Sequence, residues 1–410
     1  MDLPINQSPP HLMHIDLNSC FATVIQQANP HLRGKPLVIA AYPTPGGCIL
    51  APSIEAKRFG IKTGMRVKDA QIICPEVVVR ENDVDLVRDA SNQFIKICRD
   101  YSPDVTPKSI DEVVIDFSST KTYWKKTLEE IGLEIKKRFR AEIGDWISCN
   151  VGISTNRTLA KLASSLHKPD GLDVIDFHNM GSVYSSITLT DFPGINVRYE
   201  MRLNVAGIFT ANDFFSASEN TLRKIVFKSI NGHYWYLRLR GYEVDDYKNE
   251  RKSFGQEYSL KEKTADQEKL AALLMMLTEK MGRRLRASGQ TASGIHLGLL
   301  YDGWSFWHQG KKFKEHLYTT GELFKKAMIL FKNQPGQKVV KKISITCFDL
   351  NPVNNVNLGL FETDYEKRIK ISKAVDKIND RYGEYVISPA LMIQSKKVVL
   401  DRIAFGGLKS

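Results

Sequence analysis

Three acidic residues stand where a carboxylate is costly to keep. Asp16 closes the apolar run Leu12 to Leu17, and Asp111 and Glu112 open the run Val113 to Phe117. Burying a carboxylate costs several kcal/mol unless a cation or hydrogen bonds compensate. Successive strand residues face opposite ways, so Asp111 and Glu112 can reach one site only where their strand begins and its pleat is not yet set. Together the three make a cage of hard oxygen ligands suited to magnesium bridging triphosphate oxygens. Two plainer readings stand beside it: Asp16 as the N-cap of a helix starting near Asn18 or Ser19, and Asp111-Glu112 as a solvated pair.

A chain of 410 residues, 42% hydrophobic and 25% charged, has room for roughly two to four globular domains and is neither disordered nor fibrous. The net charge is +12, and residues 251–350 hold 18 basic against 9 acidic residues. Such a zone attracts polyanions, or is simply a solvated surface. The six cysteines are widely spaced, with no Cys-x-x-Cys and no histidine cluster, which argues against a zinc site or a disulfide framework. The first residues are polar and Pro-rich, no run reaches the length of a membrane span, and a cytoplasmic setting is expected.

The carboxylates need elements to hold them. Leu12 to Leu17 predicts a strand entering a helix, Val38 to Ala41 and Cys48 to Ala51 predict strands, and Ile54 to Phe59 and Val67 to Ile73 short helices. Apolar residues at Val87, Ala90, Phe94, Ile97, Cys98 and Tyr101 predict an amphipathic helix, and Trp124, Leu128, Ile131, Ile135 and Phe139 a second. With strands at Val113 to Phe117 and Trp146 to Ile153, these suggest an α+β sheet covered on one face. Short helices with Gly-bearing turns follow from Thr188 to Tyr242. A further α+β region carries a helix from Asp266 to Ala287, strands at Gly294 to Tyr301 and Lys342 to Phe348, and a helix near Gly321 to Phe331.

Four segments resemble, in order, the motifs of Y-family DNA polymerases of the bacterial DinB- and UmuC-like kind. They are Ile15-Asp16-Leu17-Asn18-Ser19-Cys20-Phe21, Glu55 to Gly60, Ser109-Ile110-Asp111-Glu112, and Val151 to Asn156 continuing through Ala160 to Ala163 and Lys168-Pro169-Asp170-Gly171. The resemblance is strong from His11 to Gly194 and continues more weakly beyond. It implies a multidomain α+β right-hand fold: a ferredoxin-like palm (11–18 and 83–178), small fingers (19–82), a helix-hairpin-helix thumb (179–245), a linker (246–252), an α+β little finger (253–350) and a C-terminal tail (351–410). It also implies error-prone, translesion synthesis on primer-template DNA from dNTPs, by a monomeric enzyme using two magnesium ions, or manganese.

In that resemblance Asp16, Asp111, Glu112 and the Leu17 carbonyl hold the metals. Phe21 falls at the steric gate, where an aromatic ring excludes a 2′-hydroxyl. The amides of Ser19, Cys20 and Phe21 suit a triphosphate at a helix start, with Lys168, then Lys57, then Lys161 as cationic candidates. Ile54 and Lys57 stand where the family usually has Tyr and Arg, so a point charge replaces a bidentate fork. Arg58 is a possible substitute. Asn196 replaces the last glycine of the Pro193-Gly194-Ile195 hairpin, a place where Asn tolerates left-handed backbone.

Gly194, Arg283, Arg284, Lys311, Lys312 and Lys341, with Arg286 and Lys314 beside them, are the candidate contacts to duplex backbone. Asn357-Leu358-Gly359-Leu360-Phe361 resembles the peptide by which bacterial polymerases grip the sliding clamp, through Leu358, Leu360 and Phe361. Two other functions share some of these features. A nucleotide cyclase shares the palm and the metal carboxylates but needs no duplex grip; a non-catalytic DNA-binding relative would not keep all three carboxylates.

Overall fold

Leu12–Leu17 (β1), the strand that carries Asp16, runs almost directly into Cys20–Ala28 (α1) and lies at the centre of a five-stranded sheet. A computed structural model describes residues 3–120, 122–246, 251–336, 338–353 and 365–393. The chain divides into two compact units between residues 247 and 248.

In the first unit, Leu37–Ala40 (β2), Ile49–Pro52 (β3), Ile54–Arg58 (α2), Val67–Ile73 (α3) and Val78–Glu81 (β4) form a small module with its own core of Val38, Ile49, Ala56, Ile61 and Val67. Its sheet has the order β3-β2-β4, with β4 parallel to β2. No strand is predicted at β4, because its apolar stretch is only Val77 to Val79 before charged residues begin.

The main sheet is completed by Val84–Arg99 (α4), Val105–Pro107 (β5), Glu112–Asp116 (β6), Leu128–Arg138 (α5), Cys149–Ser154 (β7), Arg157–Leu166 (α6) and Leu172–Ile175 (β8), in the strand order β5-β6-β1-β7-β8. Side chains that accept backbone N–H groups start these helices, and the α5 cap leaves Trp124, expected within that helix, before its start. Asp83 caps α4, a Thr127/Glu130 capping box starts α5, and Asn156 caps α6.

The expectation of one covered face is corrected. Met13, Ile15, Val113, Ile115, Val151 and Ile153 share a core with residues of α1, α4 and α5. On the opposite face Leu12 and Val114 pack with Ala160 of α6. Gly152 permits that approach: a Cβ there would lie 2.0 Å from the Ala160 carbonyl oxygen and 2.2 Å from the Ser164 nitrogen. β7 is accordingly buried along all six residues.

Met180–Ser186 (α7), Val197–Val205 (α8), Ala211–Ser216 (α9) and Asn231–Arg238 (α10) surround a core rich in aromatics, with Phe192, Phe214, Phe227 and Trp235 in mutual contact. The turn before α8 differs from expectation in one respect. Gly194 carries the left-handed backbone (φ +98°), whereas Asn196 is extended (φ −108°) and caps α8, its side chain accepting from the Arg198 and Tyr199 amides.

The second unit runs Ser253–Thr264 (β9), Gln267–Ala287 (α11), Gln290–Tyr301 (β10), Phe306–Leu317 (β11), Thr320–Phe331 (α12) and Val340–Pro352 (β12), and its antiparallel sheet has the order β11-β10-β12-β9. Ile295, Leu297, Leu299, Ile343 and Ile345 form the core with α11 and α12. The strands β9 and β11 are absent from the sequence-based expectation, since both are rich in charged and polar residues.

Part of the expected tail is a helix, Tyr365–Tyr382 (α13). It is bonded to α11 through Arg286 to Asp376 (2.6 and 2.8 Å) and Arg283 to Asp380 (2.7 Å). The segments Asn357 to Phe361 and Asp401 to Gly406 lie outside the described residues. Among the described residues no helix is long and apolar enough to cross a membrane.

Candidate active site

The three carboxylates meet at one end of the main sheet. Asp16 pairs directly with Glu112 across the β1–β6 ladder, so their side chains leave the same face, and the Leu17 amide donates to the Asp111 carbonyl at 2.9 Å. That face is the one α6 covers, and it is there that the lysines arrive. Lys168 Nζ lies 2.5 Å from Asp16 Oδ2, and Lys161 Nζ lies 2.7 Å from Glu112 Oε2. Ser109 donates its hydroxyl to Asp111 Oδ1 at 2.5 Å.

Burial pushes the Asp111 pKa up; the Ser109 hydroxyl pulls it back, and the charges of Asp16 and Glu112 raise it further. Glu112 goes the other way. Burial works to raise its pKa, but contacts with His14 and Lys161 outweigh this and bring it down to about 2. Among the described residues no three carboxylate, imidazole or thiol groups already enclose a metal position; Glu112 is drawn to Lys161 instead.

An open cleft of about 240 Å³ faces this end of the sheet, and Asp16, Asp111, Phe21, Lys57, Lys168 and the β3 segment Leu50 to Pro52 are among its lining. Ser19 has left-handed backbone (φ 50°), which turns the chain sharply from β1 into α1. The first amides of that turn to find partners are those of Ala22 and Thr23, both on the Ser19 carbonyl, so the amides of Ser19, Cys20 and Phe21 are the orphaned donors of a helix start. Phe21 is 7% exposed and lines the cleft. Burial pushes the Cys20 thiol well above its ordinary pKa, and the Asp111 and Asp16 charges add to this. Burial and the neighbouring Lys168 together lower the Lys57 pKa, against the pull of Asp16.

These features match known proteins along most of the chain. Residues 15–165 match the impB/mucB/samB family, and residues 251–360 match the C-terminal domain of the same family. A DNA polymerase IV of Pelotomaculum thermopropionicum is 29% identical over 94% of this chain and 96% of its own. One of Clostridium perfringens is 32% identical over 67% of this chain and 76% of its own. The chain belongs to the impB/mucB/samB family, and with it to the Y-family polymerases. Among solved structures a Y-family DNA polymerase chimera, Dbh-Dpo4(243-245)-Dbh, superposes with a TM-score of 0.71 at 24% identity, covering 83% of this chain and 99% of its own, a likeness of fold.

For a Y-family member, the structure redistributes several expected contacts. Lys161, a third candidate for the triphosphate, is engaged with Glu112. Lys57 lines the cleft, whereas Arg58 is not among the lining residues. In the second unit the basic candidates fall on two faces. Lys312, opposite Gly294, shares with Lys314 and Lys342 the sheet face turned away from α11 and α12. Arg283 bonds Asp380, Arg284 donates to the Gly255 carbonyl at 3.2 Å, and Lys311 sits over the Phe313 ring, all on the helix side. Lys341 stacks on Trp304 at 3.5 Å, and Lys312 itself pairs with Asp349 at 3.1 Å. Gly194 lies in the turn before α8.

Sequence reasoning missed His14, Ser109 as the partner of Asp111, and Lys342, which lies on the same sheet face as Lys312 and Lys314. His14 was within reach of a period-two argument, because it lies two residues before Asp16 and so on the same face of β1.

Proposed function

We propose that this chain, a DNA-directed DNA polymerase of the Y-family, carries out error-prone translesion synthesis. In this reading it joins dNTPs to a primer 3′-hydroxyl by two-metal-ion nucleotidyl transfer. The observation that carries the proposal is the meeting of Asp16, Asp111 and Glu112 at one sheet end, with Lys57 and Lys168 lining the same cleft as the two aspartates.

The donor set fits magnesium, since the carboxylates and the Leu17 carbonyl are all hard oxygens and Asp16 and Glu112 already draw cations in Lys168 and Lys161. When bound, two magnesium ions, or manganese in their place, would acidify the primer hydroxyl and balance charge on the leaving pyrophosphate. The chain's own part is positioning. Ser109 orients Asp111, and the Cys20 thiol, kept protonated by burial, offers no competing nucleophile. Phe21 packs under the sugar and excludes a 2′-hydroxyl. The amides of Ser19 to Phe21, with Lys168 and Lys57, take the triphosphate.

Primer-template DNA is held through its phosphates, by the Gly194 turn and by basic residues of the second unit, without reading sequence. The sliding clamp is gripped through Leu358, Leu360 and Phe361. The enzyme works as a monomer in the cytoplasm.

Primer extension with magnesium on intact and damaged templates tests the proposal. Full-length product past a lesion that falls to background in Asp111→Asn is the expected result. No nucleotide addition by the unaltered chain would remove it, and cyclic nucleotide from NTP alone would favour the cyclase.

A further inference from the structure

His14 is 1% exposed, yet both ring nitrogens face polar groups of the catalytic end. Nδ1 lies 3.1 Å from Ser164 Oγ. The Ser164 hydroxyl, also 2.8 Å from the Lys161 carbonyl, can turn to donate to Nδ1, which places the proton of the neutral ring on Nε2. The other nitrogen, Nε2, makes no hydrogen bond and points at Glu112 Oε2, 3.6 Å away. Lys161 holds that same oxygen from the solvent side. Both contacts fall on Oε2, which leaves Oε1 as the Glu112 oxygen free to turn toward a ligand.

We propose that His14 is a positioning residue of the catalytic carboxylates: clasped by Ser164, its ring backs one oxygen of Glu112 and aims the other into the metal site. The inference rests on the reading of Asp16, Asp111 and Glu112 as metal ligands. His14 is buried and is not among the residues that line the cleft, so in this reading it acts through Glu112. Its place depends on α6 sitting close to the sheet, since Ser164 and Lys161 both come from that helix and Gly152 is what admits it. A polar partner behind a metal-ligating side chain fixes its rotamer and basicity, and removing such partners costs about 10–100-fold in metal affinity or activity.

The test uses the full chain with dideoxy-terminated primer-template and follows Mn2+ binding by the loss of the free-ion electron paramagnetic resonance signal. The Mg2+ midpoint of primer extension is measured beside it. His14→Phe keeps the ring and removes both nitrogens. The expected result is a rise of about tenfold in the Mn2+ dissociation constant and in the Mg2+ midpoint, with partial recovery in His14→Gln, which restores an amide donor. Ser164→Ala should shift both in the same direction by less, and it decides the matter if His14→Phe does not fold. Unchanged metal affinity and midpoint in the folded variants, even with a lowered melting temperature, would overturn the proposal. Glu112→Gln separates the two readings. If it binds Mn2+ like the unaltered chain, the metal site itself is misassigned; if it loses Mn2+ while the His14 variants do not, only the positioning role fails.

Discussion

Lys168 Nζ sits 2.5 Å from Asp16 Oδ2, joining a residue just beyond α6 to the acidic residue of β1 across 152 positions of sequence. A lysine and a carboxylate that neutralise each other in this way can part when a triphosphate and its cations arrive, each then taking a partner of opposite charge. Lys168→Ala should therefore raise the KM for dNTP by about tenfold or more, since a charge-assisted hydrogen bond is worth about 1.5–3 kcal/mol, and should lower kcat less. Steady-state kinetics on a single-nucleotide extension reads both constants; an unchanged KM removes Lys168 from the triphosphate site.

Phe21 is a lining residue of the cleft with little exposed surface. Phe21→Ala opens space where a 2′-hydroxyl would fall. Discrimination between dCTP and CTP, measured as the ratio of kcat/KM values, should drop by at least about tenfold, within the range expected of a pocket that selects by shape. Retained discrimination would show that the gate lies elsewhere.

Gly152 faces the α6 backbone so closely that any Cβ must push the helix away. Gly152→Ala should destabilise the chain by about 1–3 kcal/mol through overpacking. It should also weaken extension, because Lys161 and Ser164 move with the helix. Chemical denaturation and primer extension check the two effects; wild-type stability would contradict the close approach.

Asp245 supplies the pH-dependent prediction. Burial works to raise its pKa, but Arg238 and then Thr158 outweigh this and hold it below the ordinary 3.8. A depressed folded pKa means that the stabilisation is fully present above about pH 4 and fades as pH falls through the folded value. Asp245→Asn should cost about 2 kcal/mol at pH 7, and the gap to the unaltered chain should close in the acid limb of a pH series of urea melts. A gap that stays constant into acid would show that the carboxylate charge is not what matters.

Deleting Leu358 to Phe361 should leave distributive synthesis intact and abolish stimulation by a sliding clamp. Extension assays with and without the clamp decide it, and undiminished stimulation would remove the peptide from the proposed function.

Much of the first unit was legible because its elements announce themselves locally. The apolar spacing of α4 and of α5 is a short-range signal, and each marks a helix the structure contains. The second unit was less so. Of its sheet, β10 and the centre of β12 read as apolar runs, while β9 and β11 keep one face open and carry charged and polar residues there, so their sequence resembles a linker. Arg283 and Arg284, whose charge suggested a nucleic-acid contact, lie on the helix side of the sheet, and their partners there, Asp380 and the Gly255 carbonyl, come from distant parts of the chain.

The order of the motifs along the chain, through their resemblance to the Y-family, is what pointed to one chemistry for two acidic strand ends and an aromatic residue at a helix start. Which cation meets which carboxylate was decided only in three dimensions. Asp16 and Glu112 share a face because β1 and β6 pair in one register, and Lys161, Ser164 and Lys168 reach that face because Gly152 lets α6 settle against it. Strand register and helix approach arise from packing among residues far apart in the chain, and no local pattern encodes them.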